Sequence, residues 1–162
     1  MTRMAMMAAD EHSGRLTCLL ALPLSRHRII SSEIGVSVAG MLVLLTTAAV
    51  ALWIGAPLDL VAALAGAWNV APVALLSLGA AVLALGWAPR AVAAVGALPV
   101  VGGFLLRTVD SSSWLTALSP FSHLASVPAS PPDWAASAGL TAIAAGLAVV
   151  GVFGYARRDL SA

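Results

Sequence analysis

Few residues in this 162-residue chain are of the types that do covalent chemistry, and their spacing argues against an active site. Zinc-dependent proteolysis needs His-Glu-x-x-His on a helix, and nucleotide hydrolysis needs a glycine-rich loop ending in Lys-Ser/Thr; the sequence has neither, and contains no lysine. Gly35-Val36-Ser37-Val38-Ala39 approaches the Gly-x-Ser-x-Gly elbow of a hydrolase, but Ala39 stands where the second glycine is required. The three histidines, His12, His27 and His123, lie outside the apolar runs, so Ser37 has no evident base, and His123 in its proline-rich loop is a poor metal ligand or pH switch. The one cysteine, Cys18, excludes a disulfide within this sequence and any multi-cysteine metal site. No catalytic residue, cofactor or metal is expected.

Three patterned features remain. Asn69 interrupts an apolar run, and a polar side chain at membrane depth must find a partner. It either lines a substrate path or, as we favour, bonds a neighbouring segment or sits near the interface. Ala138, Ala142 and Gly146 recur every fourth residue, with Gly154 assigned to the same stripe; small residues let two helices in lipid approach closely. Glu11 to Arg28 is the only long stretch that mixes charge with apolar residues. In it Leu16, Leu19 and Leu20 form a greasy face with Arg15, Thr17 and Cys18 between, Pro23 ends or kinks the helix, and Ser25 caps a second short turn carrying Arg26 and Arg28. Such a segment lies in the membrane interface. It serves either as a surface that takes a mechanical push from a partner or as a generic anchor, and composition does not separate the two.

The elements that would carry these features belong in a lipid bilayer. The chain is 60% hydrophobic and 9% charged, with mean hydropathy +0.99, against roughly 25% charged residues in soluble domains. A net charge of +1 gives no reason to expect nucleic acid as a partner. A cleaved signal peptide is disfavoured: Leu16 to Leu24 is followed by Arg26, His27 and Arg28 rather than by a small-residue cleavage site. The expected organisation is an N-terminal segment over 1–32 and a membrane domain over 33–162. Spans are predicted at about 34–56, 60–88, 91–109 and 134–156, with a kink near Pro72. Trp114, Leu115, Leu118 and Phe121 suggest an amphipathic turn in the 110–133 loop. Seven arginines (Arg3, Arg15, Arg26, Arg28, Arg90, Arg157, Arg158) fall on one side of such a bundle and only Arg107 on the other, which turns both termini to the cytoplasm.

Several motifs, in order, resemble one family. Glu11-x-x-Gly14-Arg15-Leu16-x-x-Leu19-Leu20-Ala21-x-Pro23-x-Ser25-Arg26 resembles the cytoplasmic signature of ABC type-2 exporter permeases. Pro89-Arg90 resembles that family's short cytoplasmic turn. Leu118-Ser119-Pro120-Phe121-x-His123 resembles the outer-loop motif of its actinobacterial antibiotic- or polyketide-exporter branch, and Gly154-x-x-Arg157-Arg158-Asp159-Leu160 that branch's C-terminus. Ala125 and Ser126 replace a proline that often follows the loop histidine, and Ala156 stands where an arginine is common.

The resemblance implies an all-α membrane protein: four transmembrane helices preceded by a cytoplasmic coupling helix, with an outer-loop helix before the last span. It further implies a permease in the plasma membrane that expels hydrophobic compounds and is driven by a separate ABC ATPase subunit meeting residues 11–26. The chain would hold the third to sixth spans of a unit, completed by the remaining permease helices or a second permease copy. Two other readings compete: a small membrane protein that scaffolds a partner complex, and, less favoured, a membrane enzyme using Ser37.

Overall fold

The computed structural model describes residues 6, 26–109, 117, 119–127 and 130–157. Among the described residues the chain is helical and has no strand. The helices are α1 (Arg26–Gly55), α2 (Leu60–Trp68), α3 (Ala71–Trp87), α4 (Val92–Ala97), α5 (Gly103–Val109) and α6 (Trp134–Arg157). Short 3-10 turns occupy Pro89–Ala91 and Pro120–His123, and a π turn, Leu98–Gly102, joins α4 to α5.

Among the described residues four helical stretches are long and apolar enough to cross a membrane: Arg28–Gly55, Leu60–Trp87, Pro89–Thr108 and Trp134–Arg157. The shortest has 20 residues, about 30 Å of helix and so about one hydrocarbon core. Several hydroxyl groups inside these stretches bond their own helix, whereas the buried Ser77 hydroxyl has no hydrogen-bond partner among the described residues. Ser37, Thr46, Thr47 and Thr141 each donate at 2.8 Å to the carbonyl four residues back. Asp59 and Asp133 cap the helices that follow them, accepting from the backbone N–H of Ala62 at 2.7 Å and of Ala136 at 3.0 Å.

Proline sets the two interruptions. Pro72 has no N–H to give the Trp68 carbonyl, and its ring crowds that carbonyl, so the second span breaks at Asn69–Val70, one turn before the proline. Pro99 does the same in the third span, where the helix widens into the π turn.

The core forms where the second and fourth spans meet. Gly79 faces Ala144 and Gly86 faces Gly151, the same offset in both pairs (144 − 79 = 151 − 86), so the two spans run parallel. A Cβ on Gly79, Gly86 or Gly151 would collide with the carbonyl oxygen of Ala144, Gly151 or Val82 respectively. These helices therefore touch backbone to backbone. Around the lower part of this seam Ile30, Ala81, Val82, Ala84, Leu85, Val92 and Tyr155 form a buried cluster, toward the end that carries Arg28, Arg90 and Arg157. The Trp87 indole covers Gly154, and its N–H donates to the Val150 carbonyl at 3.4 Å.

Two local expectations are corrected. Arg26 and Arg28 do not form a separate elbow: α1 runs unbroken from Arg26 to Gly55, because no proline follows Pro23 until Pro57. The four-residue stripe is not the packing face of the last span. Ala138, Ala142 and Gly146 are exposed, and only Gly154 is buried, in company with Leu140, Ala144, Gly151 and Tyr155. A strict repeat of four drifts by about 40° per step on a helix of 3.6 residues per turn, so the true face alternates steps of three and four.

Candidate functional site

The Ser119–His123 motif is a knot tied to the third span. Ser119 is fully buried, and its hydroxyl donates to the Gly103 carbonyl at 2.7 Å. The same Oγ accepts from the Phe121 N–H at 3.3 Å, which starts the 3-10 turn. Pro120 lies directly on Gly103, where a Cβ would stand 2.8 Å from its Cδ. A side chain at position 103 would force that contact apart, which is why glycine suits it. Arg107 donates to the Phe121 carbonyl at 3.3 Å, so the one arginine on the loop side fastens the loop. His123 is exposed, and its Nε2 lies 2.9 Å from the Ala117 carbonyl, a contact that closes the loop on itself.

A second tie joins the loop to the second span. Asn69 sits at the helix break and its Nδ2 donates to the Ala125 carbonyl at 2.8 Å. The break is what frees Asn69 from helical packing and lets it reach a partner fifty-six residues away.

Below this tie the second and fourth spans diverge. From Gly79 and Ala144 onward they are in backbone contact; on the loop side of that pair they open into a cleft of about 660 Å³. Its floor is Leu75, Ala142 and Ala145, and its mouth is flanked by Trp68 and Trp134. Asn69, Ser137 and Thr141 supply its polar groups. Ala138 and Ala142, expected to pack against a helix, line this space instead. The cleft lies beside the helix break that precedes Pro72, where the small side chains of α6 leave the gap unfilled.

The structure brings Ser119, Pro120 and Phe121 together with Gly103 and Arg107, and brings Asn69 to the same loop at Ala125. Glu11, Gly14, Arg15, Leu16, Leu19, Leu20, Pro23 and Ser25 lie outside the described residues, as do Trp114, Leu115 and Leu118; Arg26 opens α1. Ser37 is committed to its own helix through the Glu33 carbonyl, 2.8 Å away. No group of three or more His, Cys, Asp or Glu able to hold a metal occurs among the described residues. Sequence reasoning did not single out Gly79, Gly86 or Gly151. Their signal is the seven-residue spacing from Gly79 to Gly86 and from Ala144 to Gly151, which keeps each pair on one helix face.

Residues 1–156 match the family described as multidrug efflux system permease Rv1217c, C-terminal domain. No curated protein and no solved structure gives a match.

Proposed function

Because the chain belongs to this multidrug efflux permease family, we propose that it is the membrane-spanning part of an ATP-driven exporter of hydrophobic compounds. It sits in the plasma membrane with both termini in the cytoplasm, and a separate ABC ATPase subunit docks under residues 11–26. The remaining permease helices, or a second permease copy, complete the path.

One observation carries the reading: α1 continues without a break from Arg26, the last residue of the coupling signature, through a full span to Gly55. A displacement delivered to the signature passes into a stiff rod rather than into a loop. Leu16, Leu19 and Leu20 seat the preceding helix on apolar surface, and Arg15 and Arg26 offer guanidinium donors to the ATPase, with Glu11 and Ser25 as further polar contacts. Gly14 permits close approach, and Pro23 sets the bend that joins the coupling helix to α1. The arginine distribution supports the orientation, since seven of the eight lie toward the proposed cytoplasmic side. Energy enters through the partner's nucleotide, so this chain's residues transmit motion and hold no ATP.

The test is a coupling measurement. Arg15→Ala or Gly14→Leu, in the full-length permease co-expressed with its ATPase, leaves assembly and ATP hydrolysis in place and abolishes export of a hydrophobic dye from energised vesicles. Export at the unmodified rate refutes the assignment.

A further inference from the structure

We propose that the cleft between the second and fourth spans is a binding site for a neutral, flat amphiphile that enters sideways from the lipid. The proposal rests on the export reading and deepens it, placing a substrate-holding site in the half of the bundle which that reading turns outward.

Size, charge, polarity and shape point to the same ligand. The volume of about 660 Å³ lies within the ~300–1,000 Å³ of small-molecule sites. Among the described residues no ionisable side chain lines the cleft, so a charged ligand group would be buried there without a counter-ion, at a cost that a neutral group avoids. The polar groups are graded along the cleft. Asn69 spends one amide proton on Ala125 and has a second to give. The Ser137 hydroxyl is an additional donor on the cleft wall, whereas Thr141 spends its proton on the Ser137 carbonyl. Those donors lie toward the outer loop, and the floor at Leu75 and Ala145 is wholly apolar. A ligand with an acceptor at one end and a greasy body at the other fits that gradient. The two indoles at the mouth, Trp68 at 42% and Trp134 at 77% exposure, present flat faces on which an aromatic ring stacks. A phospholipid is the weaker occupant: its head carries charge that nothing here answers, and a saturated chain gains little from two indoles.

Nile red, neutral, planar and bearing a carbonyl acceptor, is the probe, used with the full-length permease in detergent and in phosphatidylcholine nanodiscs. Its polarisation is expected to rise saturably. Ala142→Trp, which fills the cleft, weakens binding about tenfold or more, a difference of about 1.4 kcal/mol. Ser137→Ala, which changes no volume, weakens it a few-fold by removing a donor. Ile143→Trp, at an exposed neighbour that does not line the cleft, leaves it unchanged. Thermal melting of each variant separates a filled cleft from a misfolded chain, and the mild Ser137→Ala change keeps the idea testable if Ala142→Trp fails to fold. Three results overturn the proposal: equal affinity for Ala142→Trp and Ile143→Trp; loss of the saturable signal as the phosphatidylcholine fraction rises, which makes lipid the occupant; or cross-linking of Ala142→Cys to a second permease copy in native membranes, which makes a helix the occupant. The assay needs no ATPase. Saturable binding in a chain that never couples to one retires the export reading alone, and coupled export with affinity blind to Ala142→Trp retires the site alone.

Discussion

Gly86→Ala adds one methyl group where two spans cross backbone to backbone. The new Cβ would overlap the Gly151 carbonyl oxygen and stand 3.1 Å from both the Gly151 carbonyl carbon and the Tyr155 nitrogen. None of these atoms belongs to a side chain that can rotate away, so the spans must separate. Overpacking of this kind costs ~1–3 kcal/mol, and the alanine regains only ~0.5–1 kcal/mol of helix preference over glycine. The net expectation is a loss of up to roughly 2.5 kcal/mol, enlarged by dispersion forfeited along the whole seam as the gap opens. Gly151→Ala meets Val82 and Leu83 backbone atoms in the same crossing and costs a similar amount. The double variant costs less than the sum, because one separation accommodates both methyl groups. Gly146→Ala is the control: nothing lies within 4 Å of its Cβ, so only the helix preference changes and stability holds or rises. Midpoints of unfolding in a detergent-to-SDS titration, followed by tryptophan emission, measure all four. Gly86→Ala as stable as Gly146→Ala would refute the backbone contact and, with it, the parallel register of the second and fourth spans.

Ser119→Ala removes the side-chain hydrogen bond to the Gly103 carbonyl, a local loss of ~0.5–1.5 kcal/mol, and should speed protease cleavage within 110–133 while the bundle stays folded; an unchanged cleavage rate counts against the knot. Asn69→Leu removes the tie to Ala125, so hydrogen exchange at the Val127 amide, which donates to the Ala125 carbonyl at 3.0 Å, should rise; protection equal to the parent would mean the tie holds nothing. Ser37→Ala should leave transport and stability unaltered, since its hydroxyl serves only the Glu33 carbonyl; loss of activity would revive a chemical role for that serine.

The spans are legible because the signal that makes them is additive. Each apolar residue votes for lipid, and a run of twenty such votes survives interruptions like Asn69 or Gly102. The break before Pro72 is legible for a local reason, a missing donor. The start of α1 is less so: Arg28, Ser31, Ser32 and Glu33 are helical but polar, and hydropathy marks solvent rather than backbone conformation. The packing face of α6 was misread for a further reason. When alanine and glycine occupy every side of a helix, smallness no longer distinguishes the side that packs. Only the partner's identity does so, and Gly79 and Gly86 declare it through positions sixty-five residues away. The loop motif was visible as a motif, yet its anchor at Gly103 depends on a contact across sixteen residues that no local pattern encodes.

Packing also determines which parts of this bundle can move. Lipid offers no hydrophobic force to hold helices together, so a span is held only as well as it packs. In the most apolar stretch of the first span 6% of residues are buried, against 61% in the second; Ile30 and Ala49 are the only residues of α1 whose burial is nearly complete among those described. The first span thus joins the bundle through a few buried points, whereas the second and fourth meet backbone to backbone. That close contact ends at Gly79 and Ala144, where the cleft begins, beside the helix break at Asn69–Val70. The loop carrying Ser119 and Ala125 bridges that break and the third span: Asn69 grips it at Ala125, and Gly103 grips it at Ser119. Two hydrogen bonds and seven residues of chain (125 − 119 + 1) therefore connect the third span to the second beside the cleft, and cutting either bond should loosen that connection.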